Sequence, residues 1–117
     1  AMPCIRHQAV DVFNVYVSEA GGLGSAARIF SIAEAARLPC IIGSMPELGI
    51  GTAAQAHLAF AMPNLGYASD VNGCVYHSGD VINEKLPIED GYMLLPSGPG
   101  LGVSLDEAAL DKYRIDR

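Results

Sequence analysis

Ser44, Met45 and Glu47 are the first residues whose types and spacing could do chemistry. They fall in 43–51, GSMPELGIG, between an apolar run and an alanine-rich helical pattern. Functional side chains in parallel α/β folds gather on the loops that follow strands. A solvated loop charge is the competing reading of Glu47, and a turn hydroxyl that of Ser44. The other reactive side chains carry weaker signals. His57 lies mid-helix on the apolar side, which fits a packed residue better than a ligand. His7 and His77 have no partner at metal-ligand spacing. Cys4, Cys40 and Cys74 are odd in number, contain no CxxC and read as reduced, inert thiols. Gly22-Leu23-Gly24-Ser25-Ala26-Ala27 matches G-x-G-x-x-A between a strand and a helix, with Glu47 about 20 residues on. This makes a dinucleotide-binding βαβ module an alternative. Glu19, just before the glycines, opposes it by repelling a pyrophosphate.

The elements that must hold these residues follow from periodicity. Residues 11–18 alternate as a strand, with Val12, Asn14, Tyr16 and Ser18 on one face and Phe13, Val15 and Val17 on the other. Residues 24–37 read as a helix carrying Ala26, Ile29, Phe30 and Ala33 on one face. Leu38, Cys40, Ile41 and Ile42 form a short apolar run, as a parallel strand covered on both faces requires. A second helix starts at Thr52 and ends at Pro63. A third strand is expected at 67–71. Strands alternating with helices and joined by short connections imply a parallel sheet with right-handed crossovers. Residues 72–84 read as loop or a short irregular helix. Residues 86–95 read as a hairpin turning at Glu89-Asp90-Gly91. Ser104 and Glu107 form a capping box for a last helix over 105–113.

Bulk properties bound the function. The 117 residues suffice for one modest core, and half are hydrophobic with 17% charged, so the chain is globular. A net charge of −6 disfavours nucleic acid and anionic membranes as partners. No apolar run approaches the roughly 20 residues of a membrane span, and no signal peptide opens the chain. A cytoplasmic location is expected. Ala1 ahead of Met2 reads as an expression remnant. Three strands and two helices leave long unpaired edges, which suits a piece of a closed barrel better than a finished sheet.

Four stretches carry a family resemblance: DVFNVYVSEAGGLGSAARIFSIAEAARLPC, IIGSMPELGIGTAAQAHLAFAMPNL, YASDVNG and LPIEDGYMLLPSGPGLGVSLDEAAL. In this order and spacing the chain resembles the end of the barrel domain in the enolase superfamily, in its muconate cycloisomerase and mandelate racemase branch. The resemblance implies an α/β fold made of the last three strands of a (β/α) TIM-type barrel, β-α-β-α-β, over residues 1–84. Residues 85–117, the hairpin and C-terminal helix, would return toward a capping domain. It further implies magnesium-assisted proton abstraction alpha to the carboxylate of a small substrate, leading to isomerisation or elimination. The metal carboxylates of such enzymes lie on earlier strands, so no metal ligand is expected here and the chain alone is expected to be inactive, with no cofactor of its own.

The resemblance also assigns site residues. Tyr16 stands five residues before the Gly21-Gly22 pair, where the family places a catalytic lysine. A phenol, with a reference pKa of about 10, is a poor base near neutral pH, which leaves Tyr16 as an acid, a hydrogen-bond donor to a substrate carboxylate, or an aromatic filling the barrel. Asp70 matches a carboxylate beside the substrate at the end of the last strand, against a helix N-cap or turn carboxylate as its competing reading. Ser44, Met45 and Glu47 match a substrate-binding loop. A non-catalytic, self-associating remnant is a further alternative, because the open strand edges must be buried somewhere, and a homo-oligomer is the simplest way.

Overall fold

The computed structural model describes residues 1–115. Its order is α1 (Met2–Arg6), β1 (Phe13–Tyr16), α2 (Leu23–Ala35), β2 (Cys40–Gly43), α3 (Gly49–Ala61), a 3₁₀ turn (Gly73–Tyr76), β3 (Ile88–Glu89), β4 (Tyr92–Met93) and α4 (Glu107–Tyr113). The fold is α/β. Strands β1 and β2 pair in parallel, with Phe13 opposite Cys40 and Tyr16 opposite Gly43. The alternation of β1 holds: Val15 and Val17 are buried while Asn14 is exposed. Gly21 and Gly22 adopt φ of 84° and 102°, which only glycine takes readily, and so turn the chain from β1 into α2. Ala26, Phe30 and Ala33 of α2 pack with Cys40 and Ile42 of β2 and with Ala56 and Leu58 of α3. That single layer of helix on sheet is the main core. Among the described residues no helix is long and apolar enough to cross a membrane.

Three expectations need correction. The third strand does not form as a strand. Residues 64–70 do run parallel to β2: the Cys40 N–H donates to the Asn64 carbonyl at 2.9 Å, and the Gly66 N–H to the Cys40 carbonyl at 3.0 Å. A regular ladder would next engage residue 68. Instead the Ile42 N–H donates to the Ser69 hydroxyl at 3.0 Å, and the Asp70 N–H reaches the Ile42 carbonyl at 2.9 Å. The segment therefore carries two extra residues, and a side chain replaces the missing carbonyl, as in a bulge.

Helix α3 begins at Gly49, not Thr52. Gly49 and Gly51 are poor helix formers, which hides the first turn from propensity. A carboxylate remote in sequence supplies its cap, as described below. The capping box on α4 is also absent. Asp106 is the N-cap, and its Oδ1 accepts the Ala109 N–H at 3.0 Å. Ser104 is drawn away by Glu84, whose carboxylate accepts both its N–H and its hydroxyl at 2.7 Å. Those two bonds hold the Glu84 carboxyl below the usual carboxylate range.

The hairpin forms as expected, pairing Ile88 with Met93 and Glu89 with Tyr92. Asp90 and Gly91, at φ 49° and 83°, make the left-handed two-residue turn that such a hairpin demands. Residues 82–103 fold back on α3, where Ile82, Leu86, Leu101 and Val103 cover Ala53.

Candidate functional site

The carboxyl ends of three parallel backbone segments lie side by side. Tyr16 ends β1 opposite Gly43, which ends β2. Asp70 follows through its N–H bond to Ile42, one residue before Gly43. Ser44, Met45 and Glu47 occupy the loop leaving β2. The backbone positions of these five residues are thus brought to one rim.

Tyr16 is half-buried, and its ring lies across Gly43. A Cβ placed on Gly43 would stand 2.5 Å from Tyr16 Cζ and 2.6 Å from Asn14 Oδ1. The Asn14 amide donates to the Tyr16 phenol oxygen at 3.3 Å, which leaves the phenolic proton free to be donated elsewhere. Asp70 is exposed, and its carboxylate takes no hydrogen bond among the described residues. Met45 is 59% exposed.

Glu47 is turned into its own loop. One oxygen, Oε2, accepts the Ser44 hydroxyl at 2.5 Å and the Met45 N–H at 3.1 Å. Burial alone would raise the Glu47 carboxyl. The Ser44 hydroxyl, the backbone N–H groups of Glu47 and Met45 and the Gln55 amide outweigh it and hold the group below the ordinary range. The other oxygen, Oε1, is buried with no partner, as is Gln55 Oε1.

Sequence reasoning missed the residues that support this loop. Thr52 and Gln55 are wholly buried on α3. The Thr52 hydroxyl donates to the Glu47 carbonyl at 3.1 Å, and the Gln55 amide donates to the Gly43 carbonyl at 3.1 Å. Two polar residues three apart among alanines on a buried helix face were the available signal. Asn64 is equally structural: its amide donates to the carbonyls of Phe30 at 3.1 Å and Leu38 at 3.4 Å. Cys40 and Cys74 have thiol pKa values raised by burial, which keeps them protonated and poorly nucleophilic. His57 is half-buried, with Nε2 3.1 Å from the Leu101 carbonyl, a packing role. Among the described residues no three His, Cys, Asp or Glu side chains gather as a metal site.

Comparison with known proteins places this geometry in context. Residues 1–109 match the enolase C-terminal domain-like family. Muconate cycloisomerase 1-2 of Acinetobacter lwoffii is 36% identical over 109 residues, which is 93% of this chain and 28% of the relative. N-succinylamino acid racemase of Thermus thermophilus is 39% identical over 106 residues, 90% of this chain and 28% of the relative. Among solved structures, muconate cycloisomerase from Pseudomonas fluorescens superposes with a TM-score of 0.92 at 32% identity, covering 97% of this chain and 32% of that one. The chain spans less than a third of the length of each.

Proposed function

This chain belongs to the enolase C-terminal domain-like family, and on that premise we propose that it is the last third of an isomerase barrel acting alpha to the carboxylate of a small substrate. Residues 1–84 supply the final barrel strands, and residues 85–117 return toward a capping domain. The observation that carries this reading is the shared rim. Tyr16, the 44–47 loop and Asp70 all stand at the carboxyl ends of parallel segments, where such folds collect catalytic side chains.

Tyr16 is the donor to the substrate carboxylate, with Asn14 holding its oxygen from behind. Asp70, with its carboxylate free, exchanges the proton with substrate. Ser44, Met45 and Glu47 shape the pocket wall. Muconate or an N-acylated amino acid, taken from the names of the relatives, represents the substrate class. The magnesium implied by the family resemblance finds no fitting ligand set among the described residues. Its carboxylates belong to strands outside these 117 residues, so the chain by itself is inactive.

The test compares two samples. Immunoblotting of cell extract against this chain identifies the native gene product, expected at roughly three times the mass of the chain, the size of a barrel with a cap. That product and the purified chain are each incubated with magnesium and a panel of carboxylates in deuterated water, and exchange at the alpha carbon is followed by NMR. We expect exchange by the native product, reduced about 10²-fold or more by Asp70→Asn, and none by the chain alone. Magnesium-dependent exchange by the isolated chain, or a native product of the chain's own mass, overturns the proposal.

A further inference from the structure

We propose that residues 73–81 form a strap that fixes the 44–47 loop, with Asp80 and His77 as positioning residues for that loop. Four contacts along the strap carry the inference. At Gly73 the two backbones nearly touch: a Cβ there would stand 2.5 Å from Glu47 N, 2.6 Å from Glu47 O and 2.9 Å from Ser44 Oγ. One residue later, the Cys74 N–H donates to the Thr52 hydroxyl at 3.1 Å, the same hydroxyl that donates to the Glu47 carbonyl. His77 Nε2 lies 2.7 Å from the Pro46 carbonyl, inside the loop. Asp80 then closes the strap. Both its oxygens accept the Gly49 N–H, at 2.9 and 2.8 Å, and Oδ1 also takes the Val81 N–H at 2.7 Å.

The chemistry explains why Asp80 is needed. The N-cap position of α3 is Leu48, which has no side-chain acceptor to offer. The first turn of any helix presents unpaired N–H groups and a positive dipole end. Asp80, 31 residues away, supplies both the acceptor and the negative charge. The usual local cap is thereby replaced by a long-range one, and the position of the loop before α3 becomes dependent on the strap after it. His77 secures the middle of the same loop.

The functional weight of the strap rests on the reading that Ser44 and Met45 border the substrate. Its geometry can be tested without any substrate, so the two can fail separately. Amide hydrogen exchange is measured on the 117-residue chain and on Asp80→Ala, Asp80→Asn and His77→Ala. In Asp80→Ala, Gly49 and Met45 should exchange about tenfold faster or more, with Cys40 and Gly66 in the β2 contact unchanged. Asp80→Asn keeps one acceptor oxygen and should restore most of the Gly49 protection. His77 is exposed, so His77→Ala will fold and should release Met45 even where Asp80→Ala does not fold. Met45 unchanged in His77→Ala and in any folded Asp80→Ala sample overturns the strap and leaves Asp80 as a helix cap alone. Equal acceleration of Cys40 and Gly66 in these variants also overturns it, because the residues would then support the fold as a whole.

Discussion

At the scale of single residues, Glu47 shows how a carboxylate read as a substrate contact can also be part of the scaffold. Its Oε2 holds Ser44 and Met45 in place, and these bonds lower its pKa against the opposing effect of burial. The sign of the linkage follows. A carboxyl whose folded pKa lies below its unfolded value, about 4.3, contributes its full stabilisation above that value and loses it as pH falls through the lower folded one. Glu47→Gln cannot ionise, so it should lack this component. Urea unfolding midpoints from about pH 5 down to about pH 3 should fall more steeply for the wild type than for Glu47→Gln. Parallel midpoints for the two would show that the carboxylate is not stabilised in the fold. The place of Ser44, Met45 and Glu47 in the loop between β2 and α3 was legible in sequence, since they sit between a strand run and a helix pattern. The direction of the Glu47 side chain was not. Its Oε2 is held by Ser44 and Met45, and the backbone beside it is held by Thr52 and lies against Gly73, which only the folded chain brings there.

Among the elements, helices and strands with a strong local pattern were readable, while those defined by distant partners were not. Helix α2 and the β3–β4 hairpin carry their own signals, an apolar face and an Asp-Gly turn. The start of α3 depends on Asp80, and the bulged segment beside β2 depends on Ser69, so propensity misplaced both. Helix α4 shows the same competition on a smaller scale. Ser104 has the right spacing to Glu107 for a capping box, but Glu84 takes its hydroxyl and its N–H. Asp106, two residues later, caps instead. Asp106→Ala should therefore cost about 1 kcal/mol in the local stability of α4, seen as faster exchange at the Ala109 amide and a loss of helical circular dichroism. Ser104→Ala should leave Ala109 unchanged and release only the hydroxyl's bonds with Glu84 and Asn83. The reverse ranking would restore the capping box.

Over the whole molecule, the chain exposes more surface than its size requires. Its accessible area is 7429 Å², against about 6,100 Å² for a compact monomer of this mass. The radius of gyration is 15.5 Å, against about 13 Å for a compact domain of this length. The excess is partly apolar. Phe60, Tyr67 and Tyr92 are 59%, 61% and 74% exposed, and among the described residues the parallel sheet holds two strands. Parallel sheets are ordinarily covered on both faces and continued at their edges. On the proposed reading as part of a barrel, further strands of a longer chain would cover these surfaces. We propose that without them the same faces draw one copy onto another, the homo-oligomer expected from the sequence. The surplus of roughly 1,300 Å² exceeds the ~800 Å² that each partner contributes to an ordinary interface. Mass action then couples stability to concentration. Across a hundredfold rise in concentration a dimer gains about 2.7 kcal/mol, so its melting temperature should climb by about 5 °C. Sedimentation over the same range should show the mass moving from one chain toward two. A melting temperature indifferent to dilution, together with a monomer's mass throughout, would show that the open faces are stable in water and that self-association has no part in how this chain persists.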